Sequence, residues 1–195
     1  RVIIPADVTF KRLHDTIQFS MDWWDRHLYE FEFPQEKLRI TNDEEAYEEV
    51  KFYQEKYKGK ALNKRNDPHG MIAHILETTI RQPQTIKIDR YLEKYKIITY
   101  VYDFGDDWQH KIELEKIIDD YEFGYPTILE GEGACPPEDV GGIPGPEEFL
   151  RVWNNPEDPE YTEMRQWGES QHYRPFDIVF RNNLLKTCLK IKKVK

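Results

Sequence analysis

The run Tyr102-Asp103-Phe104-Gly105-Asp106-Asp107-Trp108-Gln109-His110 gathers three aspartates and a histidine around one glycine. Carboxylate oxygens and an imidazole nitrogen are ligands for a divalent metal ion, and the same groups act as general acids and bases. On that reading Asp103, Asp106, Asp107 and His110 are the metal candidates. The plainer alternative makes Gly105, Asp106 and Asp107 turn residues and His110 a hydrogen-bonded residue on an apolar face, and the turn chemistry favours it. A calcium loop of the EF-hand type is excluded, because its closing glutamate position falls on Leu114. Asp103-Phe104-Gly105 has neither the glycine-rich loop nor the partner lysine of a kinase.

A second candidate lies in Ala134-Cys135-Pro136-Pro137-Glu138-Asp139. Cys135 is either a thiolate nucleophile or soft ligand beside Glu138 and Asp139, with His110 or His27 arriving through the fold, or a small hydrophobe pinning a proline-rich loop. Neighbouring carboxylates raise a thiol pKa, which favours the structural role. His14 sits one step off the apolar stripe of the first helix and His27 heads an aromatic strand. Each either converges on His110 or is a satisfied histidine at the core edge, the commoner fate. Trp24 and Trp108 suit a core or a pocket wall, and His69 and His74 are the histidines least suited to a site.

Positioning these groups falls to a strand–helix–strand opening followed by a hairpin. Val2 to Pro5 reads as a strand end, and Asp7 or Thr9 caps a helix to about Ser20 with Phe10, Leu13, Ile17 and Met21 on one stripe. His27, Tyr29, Phe31 and Phe33 alternate as a strand should. Residues 42–57 are predicted helical, 63–70 a loop, 71–80 a short helix and 85–89 a strand. Residues 96–118 read as a hairpin whose second strand buries Trp108, His110, Ile112 and Leu114. The glycines and prolines of 129–146 forbid regular structure, after which Pro146 opens a helix with acids in its first turn. Further helices are expected over 161–168 and around Phe180, Leu184 and Leu185. The chain begins on Arg1, so a few residues are expected to precede it and complete the first strand.

The 195 residues are enough for one core, and 14% aromatic content against 38% hydrophobic means that the core is built from rings. No repeat or linker divides the chain, so one α+β domain over 1–195 is expected, with a mainly antiparallel or mixed sheet packed by helices and a β-grasp-like N-terminal half. A net charge of −9 disfavours nucleic acid held by the overall field. Lys56, Lys58, Lys60, Lys64 and Arg65, and the terminal Lys190, Lys192, Lys193 and Lys195, are local basic groups that read better as solvated surface. Cys135 and Cys188 are far apart and without metal-type spacing, which predicts a reducing, cytoplasmic setting, and no apolar run suits a membrane span.

Four stretches in order resemble the plasmid pRiA4b ORF-three-like family. They are Pro5 to Phe31 with Trp24 and His27-Leu28-Tyr29-Glu30-Phe31, the Tyr102 to His110 hairpin, Ala134 to Gly145, and Phe149-Leu150. The resemblance implies a domain associated with plasmids and mobile elements, part of whose family carries a resolvase-like label. Residues 42–80 depart from the family pattern as a charged insertion. A recombinase needs an activated nucleophile framed by arginines, whereas the arginines here are scattered and His172-Tyr173-Arg174 stands alone.

Three functions follow, in order. The first is a non-catalytic module that binds a ligand or partner on a face formed by Asp103, Asp106, Asp107, Trp108, His110, Cys135, Glu138, Asp139, His27 and His14. The second is a metal-dependent hydrolase or nuclease using Asp103, Asp106, Asp107 and His110, with Glu138 or Asp139 as a further candidate. The third is a DNA-binding accessory of mobile elements.

Overall fold

The computed structural model describes residues 1–190, and the expected basic groups Lys192, Lys193 and Lys195 lie outside them. A single α+β domain forms around a mixed five-stranded sheet of order β4-β3-β2-β5-β6. The central strand β2 (Tyr29–Phe33) pairs antiparallel with both β3 (Leu38–Thr41) and β5 (Ile97–Tyr102). On the far side β6 (Trp108–Glu113) closes the hairpin with β5, and on the near side β4 (Thr79–Arg81) runs parallel to β3.

Alternation decides which face is buried. Tyr29, Phe31 and Phe33 of β2 and Ile98, Tyr100 and Tyr102 of β5 are all at most 3% exposed, as the period of two requires. Against them lies α1 (Phe10–Met21), capped by Thr9, whose hydroxyl accepts from Arg12 N at 3.3 Å. Phe10 meets Phe31 edge-on at 4.9 Å and Phe33 at 5.8 Å, so the helix is seated by rings rather than aliphatic ridges. A sheet over a helix is thus formed, but the expected β-grasp-like opening is not: the strand at Val2–Ile3 leaves this sheet and pairs with Thr127–Ile128 instead.

The remaining elements flank that core. The charged stretch 42–80 folds as α2 (Glu44–Lys56) and α3 (Met71–Glu77) and leads into β4. Residues 85–89 do not form the expected strand: one bridge joins Thr9 to Lys87, and the chain turns into α4 (Asp89–Tyr95). Packing explains the difference, because Ile88 and Leu92 are buried in the same core as Phe33, with Tyr91 packed against it. A two-residue ribbon of β1 (Val2–Ile3) with β7 (Thr127–Ile128) sits over α7 (Ile178–Cys188), with Ile128, Leu185 and Leu189 as a second small core. Helices α5 (Gly145–Trp153) and α6 (Tyr161–Ser170) pair at Gly168, where a Cβ would lie 2.5 Å from Trp153 and 3.1 Å from Phe149. No helix among the described residues is long and apolar enough to cross a membrane.

Candidate functional site

Sheet register brings His27 to the hairpin turn. Tyr29 pairs with Tyr102, so the residues just before β2 lie beside those just after β5, and Asp103 N donates to Leu28 O at 2.9 Å. Asp103 occupies the left-handed region at φ 56°, which its short polar side chain tolerates by binding its own turn. Its Oδ1 accepts from Gly105 N at 3.0 Å and Asp106 N at 3.4 Å. The other oxygen, Oδ2, stands 3.6 Å from His27 Nε2.

The proline-rich loop completes the cluster. Asp139 Oδ1 lies 3.2 Å from the same His27 nitrogen. Two anchors hold the loop. Asp106 Oδ2 accepts from Gly141 N at 3.1 Å, and Gly142 passes so close that a Cβ there would stand 2.6 Å from Asp106 O. Just before Asp139, Glu138 is buried at 5% exposure and accepts from the Tyr102 hydroxyl and from Trp24 N at 3.0 Å. Tyr102 accepts in turn from Arg26 N at 3.1 Å, fixing the approach to His27. Asp106 and Glu138 therefore position other groups, while His27, Asp103 and Asp139 face one another.

Other predicted residues lie elsewhere. His110 faces Tyr100 across the hairpin, packs edge-on against Trp23 at 5.4 Å, and bonds Trp108 O through Nδ1 at 3.1 Å. It does not reach the aspartates, and burial pushes its pKa down. Asp107 is exposed and accepts from Gln109 Nε2 at 2.9 Å, and Trp108 packs on Trp23 at 5.9 Å. His14 is fully buried and stacked on Tyr29 at 3.6 Å. Its Nδ1 accepts from Tyr100 and its Nε2 donates to Asp25 at 2.7 Å, the tautomer this network assigns, and burial lowers its pKa below the usual value.

Cys135 packs against the main core, and burial raises its thiol to about 12, far from a nucleophile's range. It lines a cleft of about 20 Å³ with Asp22, Trp24, Glu138, His172, Arg174 and Arg181, room for about one water. Arg181, with a side chain 4% exposed, pairs with Asp22, which also takes Arg174 at 2.9 and 3.1 Å. Trp24 stacks on His172 at 5.1 Å. The Arg181–Asp22 pair escaped the sequence, where a lone arginine between apolar helix positions was its only trace.

Asp139 also borders a much larger cleft of about 460 Å³ between the loop and helices α5 and α6. Phe149, Met164 and Trp167 contribute apolar lining, and Glu148, Glu160 and Glu163 join Asp139 as the charged groups. Arg151 neutralises Glu148 at 2.7 and 2.8 Å, whereas neither Glu160 nor Glu163 pairs with a lysine or arginine among the described residues. The sequence carried a signal for this cleft: residues 138–163 hold eight carboxylates and one arginine, so most of the acidic excess is concentrated there.

The chain is similar to a solved structure and to a protein known by sequence. The solved structure entitled "Crystal Structure of Protein of Unknown Function MM3350 from Methanosarcina mazei Go1" superposes with a TM-score of 0.64 at 31% identity, covering 92% of this chain and 86% of that one. "Uncharacterized protein y4hQ" of Sinorhizobium fredii (strain NBRC 101917 / NGR234) is 28% identical over 173 residues, 89% of this chain and 74% of that protein. Residues 1–183 match the family described as plasmid pRiA4b ORF-3-like protein, and the chain belongs to that family.

Proposed function

We propose that this domain is a non-catalytic binding module whose cleft between the Asp139–Gly145 loop, α5 and α6 takes a cationic segment of a partner protein. The observation that carries the reading is the pairing of an apolar lining, Phe149, Met164 and Trp167, with Asp139, Glu160 and Glu163 in an open space of about 460 Å³. A lysine or arginine side chain fits that pairing, since its methylenes lie on rings while its charge meets carboxylates. Ile143, 85% exposed on the adjoining loop, offers an apolar contact beside it. The same concentration of charge repels a phosphate backbone, which disfavours nucleic acid as the occupant. Against catalysis stand the closed hydrogen bonding of His14 and the raised thiol of Cys135.

Titration of EDTA-treated protein with a short arginine-rich peptide, followed by calorimetry and by tryptophan fluorescence, tests this. Binding is expected to weaken with salt and to fall about three- to tenfold in the Glu160→Gln/Glu163→Gln double variant. Equal binding of an acidic peptide, or preference for duplex DNA, overturns the proposal.

A further inference from the structure

Two groups of one histidine and two aspartates bring their ligand atoms together among the described residues: His14 with Asp15 and Asp25, and His27 with Asp103 and Asp139. They differ in two respects that decide between them. In the first, the cation is already present, because Lys11 Nζ lies 2.5 Å from Asp15 Oδ1 and 3.1 Å from Asp25 Oδ2. Both nitrogens of His14 are also hydrogen-bonded, so nothing is left to coordinate.

The second group has no such cation. Neither Asp103 nor Asp139 pairs with a lysine or arginine among the described residues; His27 is their common neighbour. His27 Nε2 is shielded from solvent and makes no hydrogen bond, although carboxylate oxygens stand 3.2 and 3.6 Å away. A cation between them would satisfy the shielded imidazole nitrogen and both acids at once. The spacing suits one. Bonds of roughly 2.0–2.2 Å put neighbouring ligand atoms about 3.0–3.5 Å apart around a first-row ion.

The three groups are also held in place. Asp103 is oriented by the turn amides on its Oδ1, which leaves Oδ2 for an ion. Asp139 is carried by a loop pinned at Gly141 to Asp106 and at Glu138 to Tyr102 and Trp24. We propose that His27 Nε2, Asp103 Oδ2 and Asp139 Oδ1 form a binding site for a divalent first-row transition ion such as Zn2+ or Mn2+. The imidazole selects such ions over Mg2+ and Ca2+, which prefer all-oxygen sites. Asp139 is exposed, so the remaining coordination positions are open to water. The site shares Asp139 with the cleft, so an ion bound here lowers the negative charge offered to a peptide, and peptide binding is read on metal-free protein.

The test is calorimetric titration of the metal-stripped chain with zinc, and visible absorption with cobalt. One ion per chain is expected, with zinc binding tighter than manganese and no measurable magnesium binding. His27→Gln and Asp139→Asn should each weaken zinc binding about tenfold or more, while Asp15→Asn leaves it unchanged. Asp139 is exposed, so its variant keeps the test open if His27→Gln does not fold. Failure of wild-type protein to bind micromolar zinc overturns the site, as does undiminished binding in Asp139→Asn. Peptide binding by the metal-free protein is read separately, so either proposal can fall alone.

Discussion

Tyr102→Phe probes the joint between the hairpin and the proline-rich loop. The hydroxyl donates to the buried carboxylate of Glu138 and accepts from Arg26 N at 3.1 Å. A hydrogen bond to a carboxylate contributes about 1.5–3 kcal/mol and one between neutral groups about 1 kcal/mol, and phenylalanine leaves no cavity to add to the cost. The expected loss is about 3 kcal/mol, or a fall in Tm of roughly 6–12 °C for a chain of this size. Tyr100→Phe is the reference, because that hydroxyl serves only neutral partners, His14 Nδ1 at 2.8 Å and Gln18 Nε2 at 3.2 Å, and should cost about 2 kcal/mol. Urea unfolding of both variants, with Glu138→Ala to close a double-mutant cycle on Tyr102, gives the coupling directly. A coupling energy below about 0.5 kcal/mol, or a Tyr102→Phe cost smaller than that of Tyr100→Phe, refutes the reasoning.

Gly142→Ala should destabilise by about 2–3 kcal/mol, since it adds a contact 2.6 Å from Asp106 O to the strain of φ +57°. Gly141→Ala, at φ +96° with open space around it, carries the strain alone and should cost about 1 kcal/mol less by the same unfolding assay. Asp22→Asn keeps a residue suited to the left-handed backbone at φ 67° but removes the charge facing buried Arg181, for an expected loss of about 3 kcal/mol in chemical denaturation. Burial lowers the pKa of both His14 and His110 below 6.5, so the unfolded chain takes up more protons than the folded one just below that pH. Stability is therefore fully present above pH 6.5 and should fall as pH drops through it, read as a lower urea midpoint at pH 5.5 than at pH 7.5; an unchanged midpoint refutes it.

Much of the fold was legible because rings alternate along its strands. Tyr29, Phe31 and Phe33, and Trp108, His110 and Ile112, show their inward faces in the sequence alone, and the charged residues between them show the outward ones. What escaped was short. The strand Leu38–Thr41 has too few residues for a period to register, and α4 spans barely two turns without a side-chain cap. Residues 85–89 alternate as a strand does, yet among the described residues they pair only through the bridge of Lys87 to Thr9. For residues 85–89 tertiary packing overrode local preference.

His27, Asp103 and Asp139 were each visible as candidates, but their grouping was not, and His110 was the more obvious histidine. The reason is register. His110 stands within β6 opposite Tyr100 and points into the core, whereas His27 lies beyond the end of β2, where backbone pairing passes from Tyr102 to Asp103. A sequence gives a residue's face through its period but not its neighbour across the sheet. Asp139 needed one step more, the close approach of Gly142 to Asp106, for which the glycine pair Gly141-Gly142 in the loop was the only trace. The hairpin aspartates thus divide by role: Asp106 docks the loop, Asp107 serves its own turn, and Asp103 keeps one oxygen free toward His27. Turn chemistry and site chemistry are therefore not rivals here. The bonds that fix Asp103 in its turn also aim its second oxygen, so a change that loosens the turn should weaken zinc binding even with His27 and Asp139 intact.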